Sequence, residues 1–295
     1  MNYPENGDSN AITRQYFDSI LVEMRQLDSG LADTSVELFG KTFSTPVMMA
    51  ALSHLNSCHD DGMAEMARGA KMAGAVNWAG MGDEDELEHI CKSNPDTVKI
   101  VKPYANEDFI FSRIKRAEEC GCLAVGMDID HAFGGNGQYD NVLGFEMRAI
   151  SADDLKRYIA ATSLPFVVKG VLSVRDAEKC ANAGAKAIVV SHHHGIMKYA
   201  VPPLYVLPEI RNAVGKDMRI FVDCGVENGY DVFKALALDA DAVSVGRAIM
   251  PFLHEKGAQG VYEKVLQTTG ELKAMMSRTG SKCLREIDPS VLRRL

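Results

Sequence analysis

The chain has 295 residues, 46% of them hydrophobic and 24% charged, enough to bury a large core in one or two α/β domains. Its formal net charge of −8 speaks against a general affinity for nucleic acid or anionic membrane, since both demand a basic surface that neutralises phosphate. No run approaches the roughly 18 apolar residues of a membrane span, and the opening "MNYPENGDSN" lacks the positive end and apolar core of a signal peptide, so a small-molecule substrate and a cytoplasmic location are expected.

Residues 11–44, "AITRQYFDSILVEMRQLDSG…VELFGKTF", predict a helix and a short hairpin, an N-terminal extension (1–44) packed on a single domain (45–295). From Thr45 onward β-rich runs alternate with amphipathic segments. The strands are expected at Pro46 to Leu52, Ala75 to Ala79, Val98 to Tyr104, Leu123 to Asp130, Pro165 to Gly170, Ala187 to His192, Arg219 to Gly225 and Ala242 to Gly246. Between them, stretches such as "MAEMARGAKMAG", "DFIFSRIKRAEECG" and "SVRDAEKCANAG" have helical spacing and end in the small step expected where a helix stops before a strand. Continuous apolar strands separated by helices imply a parallel sheet covered on its outer side. Eight such units in roughly 250 residues match a (β/α)8 TIM barrel. The longest connection, His131 to Ile150, is glycine-rich and reads as a lid or substrate loop.

The polar residues support the barrel over a doubly wound sheet. Lys102, Asp128, Asp130, Lys169, Ser191 to His194, Asp223 and Arg247 fall at the C-terminal ends of different strands, where a barrel assembles its site; a doubly wound fold gathers them at one crevice. Asp223-Cys224-Gly225 and Gly246-Arg247 end the last two strands, a position suited to phosphate, which implies a phosphorylated cofactor or substrate. Lys169 closes an apolar strand and must meet an anion, form a Schiff base or reach water. Asp128 and Asp130 alternate about Ile129 and share the face that looks into the mouth. The run His192-His193-His194 is open to two readings, a metal site or a proton-transfer site, although adjacent side chains on an extended chain diverge too far to serve one ion well. The seven cysteines are scattered without a CxxC pair, which points to reduced thiols rather than disulfides or structural zinc.

The runs "PFVVKGVLSVRDAEKCANAGAKAIVVSHHHG", "VDCGVENGYDVFKALALDADAVSVGRAIM" and "SRTGSKCLREI", with "YFDSI" and "STPVMMAALS" upstream, resemble the FMN-dependent 2-hydroxy acid oxidases and dehydrogenases, the glycolate oxidase and L-lactate oxidase family. The resemblance implies a barrel with FMN across its mouth, His193 as proton-abstracting base, Asp130 as its partner, Tyr104 on the reacting oxygen, and Lys169 as the cation beside the flavin. It implies further cofactor contacts at Ala50, Lys102, Asp128, Ser191, Asp223, Gly225, Gly246 and Arg247, with no metal. It also implies a homo-oligomer, a tetramer or larger, with oxygen or another carrier as electron acceptor.

The chain departs from this family where the substrate carboxylate is held. Ile196 stands at one clamping arginine, and "HAFGGNGQYDN" lacks the other. Lys102 replaces a glutamine, Asp128 a threonine, and Glu227 a phosphate-binding arginine; Lys102, Lys198 and Arg148 are candidate sources of substrate charge. The expected function is oxidation of a small hydroxy compound by proton abstraction at His193 and transfer to flavin N5, with an atypical substrate. The alternatives are an FMN-dependent isomerase without net redox change, a metal-dependent hydrolase using His192, His194 and Asp128, and a binding protein that keeps the flavin fold.

Overall fold

The computed structural model describes residues 6–294. Eight strands form one parallel sheet: β1 Val47–Met49, β2 Asn77–Ala79, β3 Thr97–Val101, β4 Ala124–Asp128, β5 Phe166–Val171, β6 Ala187–Val190, β7 Arg219–Val222 and β8 Ala242–Val245. Their spatial order is β1-β8-β7-β6-β5-β4-β3-β2, so every strand lies beside its neighbour in sequence. The ring closes between β1 and β2 through backbone hydrogen bonds, Met49 N–H to Val76 O at 3.0 Å and Gly80 N–H to Leu52 O at 2.8 Å.

Helix α1 Ser9–Ser19 precedes the barrel. The others each follow one strand: α2 Gly62–Met72, α3 Glu84–Ser93, α4 Glu107–Glu119, α5 Ala152–Ala160, α6 Val174–Ala183, α7 Pro203–Val214, α8 Gly229–Ala237 and α9 Met250–Arg278. Local chemistry sets their starts: the side chains of Asn106, Ser151, Ser173 and Asn228 each accept an N–H of the first turn, and Ser151 with Asp154 makes a full capping box. The architecture is the (β/α)8 barrel that the strand count predicts. Among the described residues no helix is long and apolar enough to cross a membrane.

Alternation along the strands sorts side chains into two cores. Met48, Trp78, Val98, Ile100, Val167, Val189 and Phe221 fill the barrel, with Trp78 edge-on to Phe221 at 5.9 Å. A hairpin, Val36–Leu38 with Lys41–Phe43, adds Leu38 and Phe43 to that interior. The opposite faces, including Val101, Met127, Val168 and Ile188, pack under the helices. The same alternation carries the inner row one step further, to Lys102, Asp128, Lys169, Ser191 and Asp223 at the C-terminal mouth.

Several predicted strands overran. Those expected to reach Tyr104, Asp130, His192 and Gly225 stop at Val101, Asp128, Val190 and Val222. The physical reason is visible after β6 and β7, where His193, His194 and Cys224 take left-handed backbone (φ 47°, 57° and 66°) and turn the chain out of the ladder. A pairing without sequence signal, Ile20–Val22 antiparallel to Leu292–Arg294, joins the segment after α1 to the C-terminal segment. A cavity of about 900 Å³ opens at the other end of the barrel, but its Arg211 and Arg219 are already paired with Asp241, as expected of a stabilising face.

Candidate active site

Strands β4 and β5 set Asp128 directly opposite Lys169. Lys169 Nζ lies 3.3 Å from Asp128 Oδ1 and 3.6 Å from Asp223 Oδ2, while Lys102 Nζ reaches Asp128 Oδ2 at 2.7 Å. All are buried; Asp128 is 2% exposed. Burial alone would push the Asp128 carboxyl up, but the Lys169 and Lys102 ammonium groups outweigh it and hold the carboxyl well below the usual range. By the same balance, burial opposes the charge on Lys169, and Asp128, Asp223 and Asp130 more than restore it, so its ammonium is held more tightly than usual. Lys102 is therefore not an ordinary surface lysine: it is the second cation of a buried network.

The loop after β6 delivers His193 to this network. Its backbone N–H donates to Ser191 Oγ at 3.0 Å, and its Nδ1 lies 2.9 Å from Asp130 Oδ1 and 3.2 Å from Lys169 Nζ. At this nitrogen an ionised carboxylate can only accept and the Lys169 ammonium can only donate; the shorter Asp130 contact favours the proton on Nδ1, which leaves the lone pair on Nε2 and turns the ammonium's hydrogens toward its carboxylate partners. The side chain is a quarter exposed. An imidazole so held can take a proton at Nε2, and the carboxylates of Asp130 and, at 3.7 Å, Asp128 stabilise the cation that results.

Asp130 sits beyond the strand, where it opens a short helical turn, Asp130–Ala132. It fits only because β5 has a glycine opposite. Gly170 has φ +91°, and a Cβ there would lie 2.5 Å from Asp130 Oδ2. The β5–β6 register shifts at this residue, a local irregularity that makes room for a functional side chain.

The other two histidines do not assemble a metal site, which corrects the hydrolase alternative. His192 is buried with both nitrogens engaged: Nδ1 accepts the Gly195 N–H at 2.9 Å, and Nε2 therefore donates to Thr13 Oγ1 at 2.8 Å. It ties α1 to the barrel rather than facing substrate. His194 is exposed, its backbone N–H on Cys224 Sγ and its carbonyl on Asn10. Donor atoms of Asp128, Asp130 and His193 do lie within 4.8 Å of one another. The two ammonium groups against Asp128 suit a proton-transfer centre better than a cation site.

Tyr104 is buried beside the lid, bridged to Met147 and edge-on to Phe109 and Phe145; burial raises its phenol above the ordinary value. Ala50 donates its N–H to Val245 O at 3.1 Å, and its Cβ stands 3.2 Å from where a Cβ on Gly246 would be. Arg247 is exposed and has no ion pair among the described residues, and its charge helps depress the ionisation of His194 after burial. Gly225 O accepts from Arg14, whose guanidinium also grips Asp231 at 2.8 Å. Arg148, a candidate for substrate charge, is instead spent on Asp154, Glu107 and Tyr158, anchoring the end of the lid. Lys198 and Glu227 are exposed, and Ile196 is 39% exposed. The sequence reading missed His131, whose ring stands edge-on to His193 at 4.3 Å.

Comparison with known proteins identifies the family and the fold. The model of a family described as FMN-dependent dehydrogenase matches residues 4–150 and 144–294. Glycolate oxidase 3 of Arabidopsis thaliana is 30% identical, with 93% of this chain and 84% of that protein covered. An L-lactate oxidase of Lactobacillus jensenii is 27% identical, covering 97% and 78%. A solved structure of mandelate oxidase with benzoyl-formic acid superposes with a TM-score of 0.88 at 28% identity, covering 98% of this chain and 90% of that one; another carries a monooxide FMN adduct. The mouth fits such a cofactor: buried Lys169 would offer a fixed cation to an electron-rich ring, and Arg247 beside Gly246, without an ion pair among the described residues, would offer one to a phosphate. With its fold, its cation-lined mouth and a family match along nearly its whole length, this chain is an FMN-dependent oxidoreductase and belongs to the FMN-dependent dehydrogenase family.

Proposed function

We propose that the protein oxidises a small 2-hydroxy acid or a close hydroxy analogue to the corresponding 2-oxo compound, with His193 as proton acceptor. The observation that carries this reading is the 2.9 Å contact of His193 Nδ1 with Asp130, which leaves Nε2 as the free base of an imidazole that stands beside a buried cation. Oxidation removes two electrons and two protons from the H–C–O–H unit; Nε2 takes one proton, and the imidazolium is held between Asp130 and Asp128. Bound FMN would supply the acceptor for both electrons and for the second proton. Lys169, Lys102, Asp128, Ser191, Ala50 and Asp223 are assigned to its ring and ribityl chain, and Gly225, Gly246 and Arg247 to its phosphate. Tyr104 is assigned to the reacting oxygen.

The substrate is atypical for the family. Arg148 is the one arginine in the 131–150 lid and is committed elsewhere, and Ile196 brings no charge. The acceptor of the electrons is oxygen or another carrier. A cytoplasmic setting accords with free thiols at all seven cysteines; a homo-oligomer, a tetramer or larger, is carried over from the family resemblance.

The test is anaerobic mixing of the FMN-loaded protein with glycolate, lactate and mandelate. Loss of the oxidised flavin spectrum with formation of the 2-oxo acid supports the reading. A spectrum that stays oxidised while substrate is rearranged would establish the isomerase alternative, and an unchanged spectrum with unchanged compounds would reject both.

A further inference from the structure

His131 opens the lid immediately after Asp130, with backbone in the sparsely populated bridge region (φ −93°, ψ 22°) where active-site residues are often found. Its ring meets that of His193 edge-on, interplanar angle 79°. Its Nδ1 is buried, lies 3.4 Å from Asp140 Oδ2 outside hydrogen-bond geometry, and has no other hydrogen-bond partner among the described residues. Asp140 is fixed in place by its own backbone, which donates to Ala132 O at 3.0 Å and accepts from Met147 N–H at 2.8 Å. The mouth therefore contains two imidazoles, each with a carboxylate behind Nδ1. The carboxylate favours the proton on that nitrogen and a lone pair on Nε2. His131 is half-buried, and burial, then Lys102 and His193, push its ionisation below the ordinary value, so it stays uncharged at neutral pH.

An uncharged imidazole is a poor clamp for a carboxylate and a good acceptor for a hydroxyl. We propose that His131 is a specificity-determining residue that accepts a hydrogen bond from a second hydroxyl, next to the one that reacts at His193, so that the preferred substrate is a vicinal dihydroxy acid. This inference rests on the oxidation reading above.

The experiment compares 2,3-dihydroxypropanoate with lactate, which lacks only that hydroxyl, in wild type, His131→Phe and His131→Asn. Wild type is expected to show kcat/KM at least about tenfold higher for the dihydroxy acid, because a site built for a hydroxyl disfavours the analogue without it. His131→Phe should collapse the ratio toward one, mainly through KM, and His131→Asn, with an amide oxygen as acceptor, should keep part of it. Equal wild-type activity on the two compounds would overturn the inference. So would an equal fall in kcat for both in His131→Phe, the signature of a residue that merely props His193. If neither compound reduces the wild-type flavin, and glycolate and mandelate also fail, the oxidation reading itself falls and takes this one with it.

Discussion

The carboxylate of Asp130 occupies the space that a side chain on Gly170 would fill. The base partner is thus placed by a residue with no chemistry of its own. Gly170→Ala must move Asp130 and also strain a left-handed position, so we expect kcat/KM to fall about 100-fold, the cost of misplacing a catalytic group by about an ångström. Stability should drop by about 1–2 kcal/mol. Retained FMN with unchanged turnover would show that Asp130 does not need this seat.

Asp130→Asn separates orientation from charge. The amide oxygen can still accept the Nδ1–H, but the imidazolium loses its counter-charge. Turnover should fall by about 10²–10⁴ with a smaller change in KM, the range general-base catalysis contributes. Steady-state kinetics on FMN-saturated protein checks this. A purely structural Asp130 would instead lower Tm and spare kcat.

Lys102 and Asp128 depend on each other. Lys102→Met leaves a buried carboxylate matched only by Lys169, and should cost about 3 kcal/mol in urea denaturation. Lys102→Gln with Asp128→Thr, neutral at both positions, should recover most of it. The pH dependence has a definite sign. The folded carboxyl ionises far more readily than an unfolded aspartate at about 3.9, so its contribution is complete above that pH. As pH falls further the unfolded chain takes up the proton first, stability declines, and the gap between wild type and Lys102→Met narrows. A gap that widens in acid would mean the pair is not stabilising.

The barrel was legible because apolar runs and intervening helices recur eight times, and strand ends concentrate polar residues. Asp128 was readable from alternation, and Lys169 and Asp223 from their place at the ends of apolar strands, since the inner row continues past the last apolar layer. His192 was not separable from His193 by pattern, because the left-handed turn at His193 cancels the alternation and the deciding partner, Thr13, is 179 residues away. Lys102 was expected at the mouth as a cofactor contact, but its pairing with Asp128 is visible only with β3 and β4 in register and Asp128 2.7 Å from it. His131 carried no signal, because its significance is a contact between the loops after β4 and β6. Gly170 read as a strand end; only its positive φ and the crowding by Asp130 reveal its task.

Arg247 and Glu227 make opposite predictions for the cofactor. Arg247 is exposed beyond β8 and unpaired among the described residues, which leaves its full charge for a phosphate. A charge-assisted hydrogen bond contributes about 1.5–3 kcal/mol, so Arg247→Ala should raise the Kd for FMN about 10- to 100-fold at one tenfold step per 1.4 kcal/mol. Among the described residues Glu227 is held only through its backbone, its N–H donating to Asp231 at 3.1 Å and its carbonyl accepting from Lys264 at 2.9 Å, and its side chain is exposed. A solvated carboxylate can turn away from a phosphate, so Glu227→Gln should tighten FMN by no more than about threefold, an effect that vanishes in high salt. Fluorescence titration of the apoprotein with FMN measures both. Tenfold tightening on removing Glu227 would mean that this side chain faces the phosphate and that binding is weakened by design, whereas an unchanged Kd in Arg247→Ala would move the phosphate away from the end of β8.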